Sequence, residues 1–415
     1  MISESEVEPK ALARRRESLQ QPSAEKSQRA GTLGRSSSIA DRGLSREEAC
    51  ALIQCEDAEL PELLQAARAA KERFKPGLVT YSRKVFIPLT NLCRDYCGYC
   101  TFRRDPGEPG AHTMTPEEVL AVAQQGERMG CTEALFSLGE KPELLFAEMR
   151  ETLQALGYKS TLQYLEAMCE LVLRETTLLP HPNPGLMSAE WIERLAQVSP
   201  SMGLMLETTN ETLMRPGAAH DNASDKLPSK RLRTMEDAGR LGVPFTTGLL
   251  IGIGESLEDR VDTLIAIRAL HERYGNIQEV IVQNFRSKAA IPMRDWPEPS
   301  KGEMLRTIVV ARLLMPNVNL QAPPNLSDPY YADLLDAGIN DWGGVSPLTP
   351  DFINPEKPWP HVDQLRARSA EKGLRLEQRL PVYPEYLPLA MRRGGLLQQR
   401  LEAAANSDGL ARRAA

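Results

Sequence analysis

The sequence predicts an α/β fold: a partial or complete parallel (β/α) barrel of the TIM type behind an N-terminal helical lead-in. Three observations predict it. From residue 85 onward, short apolar runs alternate with helical stretches in six to eight β-then-α units. Strands running in one direction need a crossover between them, most often a helix. The residue types that carry chemistry also fall at the C-terminal ends of the apolar runs, where barrel enzymes place their active sites.

The chain has 415 residues, room for one large domain or two ordinary ones. Hydrophobic content of 41% and charged content of 26% are those of a soluble globular protein. A net charge of −6 argues against a nucleic-acid-binding role, which wants a basic surface. No apolar run reaches membrane-spanning length, and the N-terminus lacks the layout of a secretory signal. Seven cysteines, three of them clustered, suit a reducing cytoplasm better than a disulfide framework, so a cytoplasmic protein is expected. Cys50, Cys55, Cys131 and Cys169 stand among apolar neighbours and read as small buried hydrophobes.

In chain order, residues 1–43 are polar, have little to bury and read as a disordered tail. Residues 44–78 form the helical lead-in, opened by the capping-box pattern of Ser45 and Glu48. Residues 79–350 make the barrel core. Its strands are expected at 85–89, 134–138, 177–179, 203–207, 244–251, 279–284, 318–322 and 341–345. Thr115 and Glu118 repeat the capping box at the start of the first crossover helix. Further helices are expected at 144–156, 160–175, 188–198, 229–241, 258–274, 302–314 and 329–337, and 351–415 reads as a mostly helical C-terminal extension.

The run at 85–89 feeds Cys93, Cys97 and Cys100, spaced C-x₃-C-x₂-C. Thiolates hold iron–sulfur clusters, and a cubane normally takes four. Three leave one iron open, as a catalytic metal centre requires. Zinc would ask for a fourth Cys or His nearby, and the next candidate, His112, lies in a Pro/Gly-rich segment. Gly139 and Glu140 close the second strand, where a glycine permits close backbone approach and a carboxylate can accept from an amine. Glu207 ends the fourth strand, a position suited to ribose hydroxyls. Gly248 and Gly252 lie in a glycine-rich fifth strand end leading to Glu255. Each also has a plain structural reading as a turn, a helix cap or a surface acid.

The cysteine spacing, with the aromatic Tyr99 before the third cysteine, resembles the signature of the radical S-adenosylmethionine (SAM) superfamily. That resemblance implies one [4Fe-4S] cluster on Cys93, Cys97 and Cys100, with SAM as co-substrate chelating the remaining iron. It implies that Gly139 and Glu140 hold the SAM amino group and that Glu207 meets the ribose. Gly248 and Gly252 are then placed near the adenine or methionine, and Tyr99 and Asn284 near the adenine.

The wording narrows this further. Thr80-Tyr81-Ser82-Arg83, the segment from Phe86 to Cys93, Cys97-Gly98-Tyr99-Cys100-Thr101-Phe102, Pro180-His181-Pro182-Asn183-Pro184-Gly185, Gln283-Asn284-Phe285 and Asn340-Asp341-Trp342-Gly343-Gly344 resemble the first subunit of FO synthase. FO is 7,8-didemethyl-8-hydroxy-5-deazariboflavin. The resemblance covers about 79–360 and implies a lyase or synthase acting on the hydroxybenzyl-ribityl-uracil adduct, with ammonia, methionine and 5′-deoxyadenosine released. The partners implied are a separate second FO synthase subunit that supplies the adduct, and an electron donor. Such a substrate needs uncharged hydrogen-bonding groups. The candidates are His181, Asn183, Asn284, Asn325, Asp341 and Trp342, with His181 and Asp341 also candidate catalytic groups. Two alternatives stay open: another cofactor-building radical SAM enzyme, and a non-catalytic metal-binding or electron-transfer protein.

Overall fold

The computed structural model describes residues 43–412. The expected tail, apart from Gly43, lies outside them. Eight parallel strands run around a barrel in the order β3-β2-β1-β8-β7-β6-β5-β4. They are β1 (Leu78–Thr90), β2 (Glu133–Leu138), β3 (Leu179–Asn183), β4 (Met202–Gly203), β5 (Phe245–Ile251), β6 (Ile277–Asn284), β7 (Asn319–Gln321) and β8 (Asp341–Val345). β1 is the spine of the barrel, pairing with β2 from Lys84 onward and with β8 over Thr80 to Arg83. β5 is buried at every position, as a strand covered on both faces must be.

The barrel has one seam. No ladder joins β3 to β4, and the sequence of β3 explains it. Leu179 N–H donates to Thr132 O on the β2 side. In an alternating strand the N–H positions of residues 180 and 182 then face β4, and both are proline, which has no donor. The same prolines hid this strand: the sequence places it at 177–179, whereas it spans Leu179–Asn183. β4 is also shorter than expected. Only Met202 and Gly203 pair regularly, and Glu207 rejoins β5 through a single bridge to Leu249.

The crossover helices are α3 (Pro116–Arg128), α5 (Thr161–Glu175), α6 (Ala189–Leu195), α7 (Pro228–Arg240), α8 (Leu257–Tyr274) and α9 (Lys301–Leu314). Both capping boxes read from the sequence form, at Ser45/Glu48 and Thr115/Glu118. The helix expected over 144–156 is broken. A 3-10 turn spans Pro142–Leu144, Phe146 is extended, and α4 (Ala147–Ala155) begins only after it. Lys141 is left-handed (φ 33°) just before Pro142, and Leu144 and Leu145 are left exposed.

The lead-in helices α1 (Arg46–Ile53) and α2 (Leu60–Phe74) pack on α8 and α9, against the side of the barrel. α2 turns Leu63, Ala67 and Ala70 inward. The N-terminal end of the barrel is closed instead by the C-terminal segment. After α10 (Val362–Glu371), a ninth strand, β9 (Arg375–Gln378), pairs with β1 from Leu78 to Tyr81. The chain then crosses the barrel floor: Pro381 O accepts from Ser201 Oγ and Gln278 Nε2, and Tyr386 O–H donates to Ile277 O. Helices α11 (Leu387–Met391) and α12 (Gly395–Ala404) follow. Of the scattered cysteines, Cys131 and Cys169 are buried, while Cys50 in α1 and Cys55 in the connection to α2 are only half-buried.

Candidate active site

A cavity of about 290 Å³ opens at the C-terminal ends of the strands. Cys93, Cys97 and Cys100 share its wall, and none is in a disulfide. The loop that carries them is fixed by backbone bonds: Tyr96 N–H to Asn222 O (3.0 Å), Gly98 N–H to Ala219 O (2.7 Å), and Met293 N–H to Gly98 O (3.1 Å). Glu140 N–H donates to Cys93 Sγ at 3.1 Å, the kind of contact that stabilises and tunes a cluster sulfur. Burial pushes the Cys93 thiol up to about 12, and the Cys97 thiol higher still. Three half-buried thiols on one cavity wall, with an N–H aimed at one sulfur, fit a cationic cluster that would hold them as thiolates.

Gly139 has a tighter reason to be glycine than ligand approach. A Cβ there would lie 1.9 Å from Leu92 O and 2.7 Å from Cys93 Cβ, so the strand end presses against the cysteine loop. Next to it, the Glu140 carboxylate is paired with Lys141 Nζ (2.7 Å) and accepts from Leu186 N–H (3.1 Å). Burial raises its pKa, with Lys141 and Arg231 opposing. Asp95, Glu140 and Asp225 bring carboxylate oxygens within 4.8 Å of one another. Asp95 Oδ2 is buried and has no hydrogen-bond partner among the described residues.

Across the cavity, Glu207 gathers three donors: Tyr99 O–H (2.6 Å), Lys226 Nζ (2.6 Å) and His220 Nε2 (3.1 Å). Burial pushes its pKa upward, but Lys226, the His220 bond and Arg231 prevail and hold the carboxyl well below its ordinary range. Its backbone is left-handed, φ 66°, which turns the side chain back over the strand end.

The structure therefore brings Cys93, Cys97, Tyr99, Cys100, Gly139, Glu140, Asn183, Glu207 and Asn284 together on one cavity. The other sequence-derived candidates lie elsewhere. Gly248 is pressed inside the barrel wall, where a Cβ would sit 2.0 Å from Ile281 O. Gly252, φ 89°, donates its N–H to Glu255 Oε1 at 2.7 Å, so Glu255 caps the turn and pairs with Arg260 outside the cavity lining. Asn325 donates to Asp351 Oδ2 (3.1 Å) and Lys357 O (3.2 Å) and holds the loop after β8.

His181 sits two residues before Asn183, inside the barrel. Its Nδ1 lies 2.8 Å from Ser201 Oγ, and its Nε2 would be 3.2 Å from a Cβ at Gly203, so the ring fills the seam between β3 and β4. Asp341 begins β8 at the opposite end of the barrel from the cavity, paired with Arg379 at 2.7 Å. Trp342 points outward and is fully buried, with its indole N–H 3.2 Å from Ser369 Oγ of α10. Alternation along a strand sends these two neighbours to opposite faces, and neither reaches the cavity lining.

Sequence reasoning missed Asp95, Lys226, Arg231, Arg286, Lys288 and the strap at 351–354, all of which line the cavity. Lys226 and Arg231 follow Glu207 by 19 and 24 residues. No local pattern marks them, because the long excursion between β4 and α7 brings them back.

A model of the radical SAM superfamily matches residues 87–267. The chain is 47% identical over 338 residues to a 7,8-didemethyl-8-hydroxy-5-deazariboflavin synthase of Methanopyrus kandleri, covering 81% of this chain and all of that protein. It is 49% identical over 351 residues to an FO synthase of Streptomyces avermitilis, covering 82% of this chain but only 41% of that protein. Among solved structures, methylornithine synthase aligns over 82% of this chain and 96% of its own, with a TM-score of 0.66 at 18% identity. The FeFe-hydrogenase maturase HydG from Carboxydothermus hydrogenoformans aligns over 89% and 90%, with a TM-score of 0.67 at 20% identity. These two likenesses show the barrel fold. The family implies a [4Fe-4S] cluster and SAM, and its named relatives act in FO synthesis. The chain belongs to the radical SAM superfamily and, within it, to the FO synthases.

Proposed function

We propose that this chain forms FO from 5-amino-5-(4-hydroxybenzyl)-6-(D-ribitylimino)-5,6-dihydrouracil, acting as a carbon–nitrogen lyase that releases ammonia, methionine and 5′-deoxyadenosine. The observation that carries this reading is the convergence of three cysteines, Glu140 and Glu207 on one cavity at the strand ends. A [4Fe-4S] cluster held by Cys93, Cys97 and Cys100 would supply the electron that splits SAM and yields the radical.

The protein's own groups bind and orient. Glu140 and Asp95 offer buried carboxylate oxygens to the SAM ammonium, which would offset the burial that raises their pKa values. Glu207 keeps its charge through Lys226 and meets the ribose. Tyr99 and the backbone at Asn284 stand along the adenine. Asn183, also on the cavity lining, is left for the adduct. The adduct would arrive from a second FO synthase chain, and an electron donor must serve the cluster. The 41% coverage of the Streptomyces relative favours such a division, since that protein carries further sequence beyond the matched part. No helix among the described residues is long and apolar enough to cross a membrane.

The test is an anaerobic assay of the iron- and sulfide-loaded protein with SAM, reductant and the preformed adduct. The expected result is a fluorescent deazaflavin of FO mass with ammonia in equal amount. Cleavage of tyrosine by this chain alone, or SAM cleavage with no deazaflavin, would overturn the reading.

A further inference from the structure

One wall of the cavity carries groups that the cluster and the SAM contacts above leave unused. The end of β6 and the loop after it supply Asn284, Arg286 and Lys288. Asn284 is fully buried: its Nδ2 donates to Leu326 O at 3.0 Å, leaving Oδ1 without a partner among the described residues. Arg286 pairs with Glu298 at 2.9 Å through Nη1, while its Nε is buried and unpartnered. Lys288 lines the same cavity, half-buried, and its ammonium makes no hydrogen bond or ion pair within 4 Å among the described residues.

Of the acids that act on Lys288, Glu356 weighs more than Asp351, and neither is bonded to it. Asp351 hangs over the cavity on the strap that follows β8, but its carboxylate is already taken by four donors. Oδ1 accepts from Ile353 N–H (2.9 Å) and Asn354 N–H (3.1 Å), and Oδ2 from Asn325 Nδ2 (3.1 Å) and Asn354 Nδ2 (3.1 Å). The strap is itself locked. Trp359 stacks on Phe86 at 5.3 Å and 5°, and Thr101 Oγ1 donates to Ile353 O at 2.6 Å. Asp351 is thus spent on holding the strap, and the ammonium beside it is left facing the ligand space. Burial lowers the Lys288 pKa, with Glu356 and Asp351 opposing from a distance. A cation partly removed from water without a bonded partner costs stability unless a ligand completes it.

One acceptor and two donors, carried by alternate residues 284, 286 and 288 on one cavity wall, complement a ring edge that presents an N–H beside carbonyl oxygens. That is the imide edge of a pyrimidinedione. We propose that Lys288, with Asn284 Oδ1 and Arg286 Nε, is the specificity-determining residue for the uracil-type ring of the substrate, binding its imide edge. This rests on the functional reading above and assigns Lys288 to the substrate rather than to SAM.

The test uses the full chain loaded anaerobically with iron and sulfide, comparing wild type, Lys288→Met and Lys288→Arg with the adduct and with an adduct methylated on the imide nitrogen. Lys288→Met is expected to raise KM for the adduct by about 10- to 100-fold, the value of a hydrogen bond to a charged group. KM for SAM should stay within about twofold, well under one such bond. Lys288→Arg should recover most of the loss, and the methylated adduct should bind the wild type and Lys288→Met equally weakly. Unchanged adduct KM in Lys288→Met, or a parallel rise in KM for SAM, overturns the assignment while leaving FO synthesis intact. Wild-type protein that cleaves SAM and leaves the adduct unaltered overturns the functional reading, and the ligand given to Lys288 falls with it.

Discussion

Tyr99 donates its phenolic hydrogen to Glu207 Oε2 at 2.6 Å, joining the cysteine loop to the end of the fourth strand. The same carboxylate neutralises Lys226, so Glu207 sets both the position of the loop and the charge of the wall opposite it. Glu207→Gln removes the charge while keeping the shape, leaving the Lys226 ammonium without its counter-ion. Breaking a buried pair from one side costs about 3–5 kcal/mol, so a clear fall in Tm is expected by calorimetry. Tyr99→Phe removes one of three donors and should cost about 1 kcal/mol. The double variant should be less destabilised than the sum, since both act on one network.

Gly139→Ala places a methyl group 1.9 Å from Leu92 O, where backbone rather than a flexible side chain must yield. Overpacking of this kind costs about 1–3 kcal/mol. The displaced loop should also hold less iron. Measurement of iron and sulfide per chain after anaerobic loading checks this, with Gly130→Ala as a control, since Gly130 has open space around it (φ 74°) and only backbone strain to report.

Arg379 closes the barrel floor, donating to Asp341 (2.7 Å) and Glu279 (2.8 Å), both buried. Arg379→Met leaves two carboxylates without their cation. Truncating one side of such a cluster costs about 3–5 kcal/mol, and the loss should appear in denaturant unfolding. Asp341 is paired here, far from the cavity lining, so Asp341→Asn should reduce stability rather than alter KM for either substrate.

Burial lowers the His181 pKa to about 4, so the folded protein keeps the ring neutral where the unfolded chain would protonate it. The stability this contributes is complete above the ordinary value near 6.5. It is lost as pH falls from there toward 4, a change of about 3 kcal/mol. Glu133 adds a second acid-sensitive step. Burial opposes its ionisation, but Lys84, His181 and Arg379 hold its carboxyl near 2, so its contribution fades as pH drops below the ordinary carboxylate range. Unfolding free energy measured across pH 7 to 4 should therefore decline, and His181→Asn should flatten the upper part of that decline. An unchanged slope in the variant would remove His181 from the account.

The barrel was legible because parallel strands buried on both faces leave continuous apolar runs, as in Phe245–Ile251, and because capping residues announce helix starts, as at Ser45 and Thr115. The cysteine triplet was legible because its three residues are local in sequence. The seam strand was misplaced because Pro180 and Pro182 read as loop, whereas here they face the one side of a strand that has no neighbour. Asp341 and Trp342 read as pocket residues from their segment alone. A strand's alternation and its direction decide which end and which face a side chain occupies, and both are settled by packing.

The sequence by itself determined the class of fold and the cysteine triplet, which rest on short-range spacing and periodicity, and the family, which rests on the resemblance of its motifs. Only the tertiary structure decided that Lys226, Arg231 and Lys288 share a cavity with those cysteines, that Asp351 is spent on the strap, and that Arg379 plugs the opposite end. Charges far apart along the chain meet only when the barrel closes, and no local pattern records which of them will find a partner.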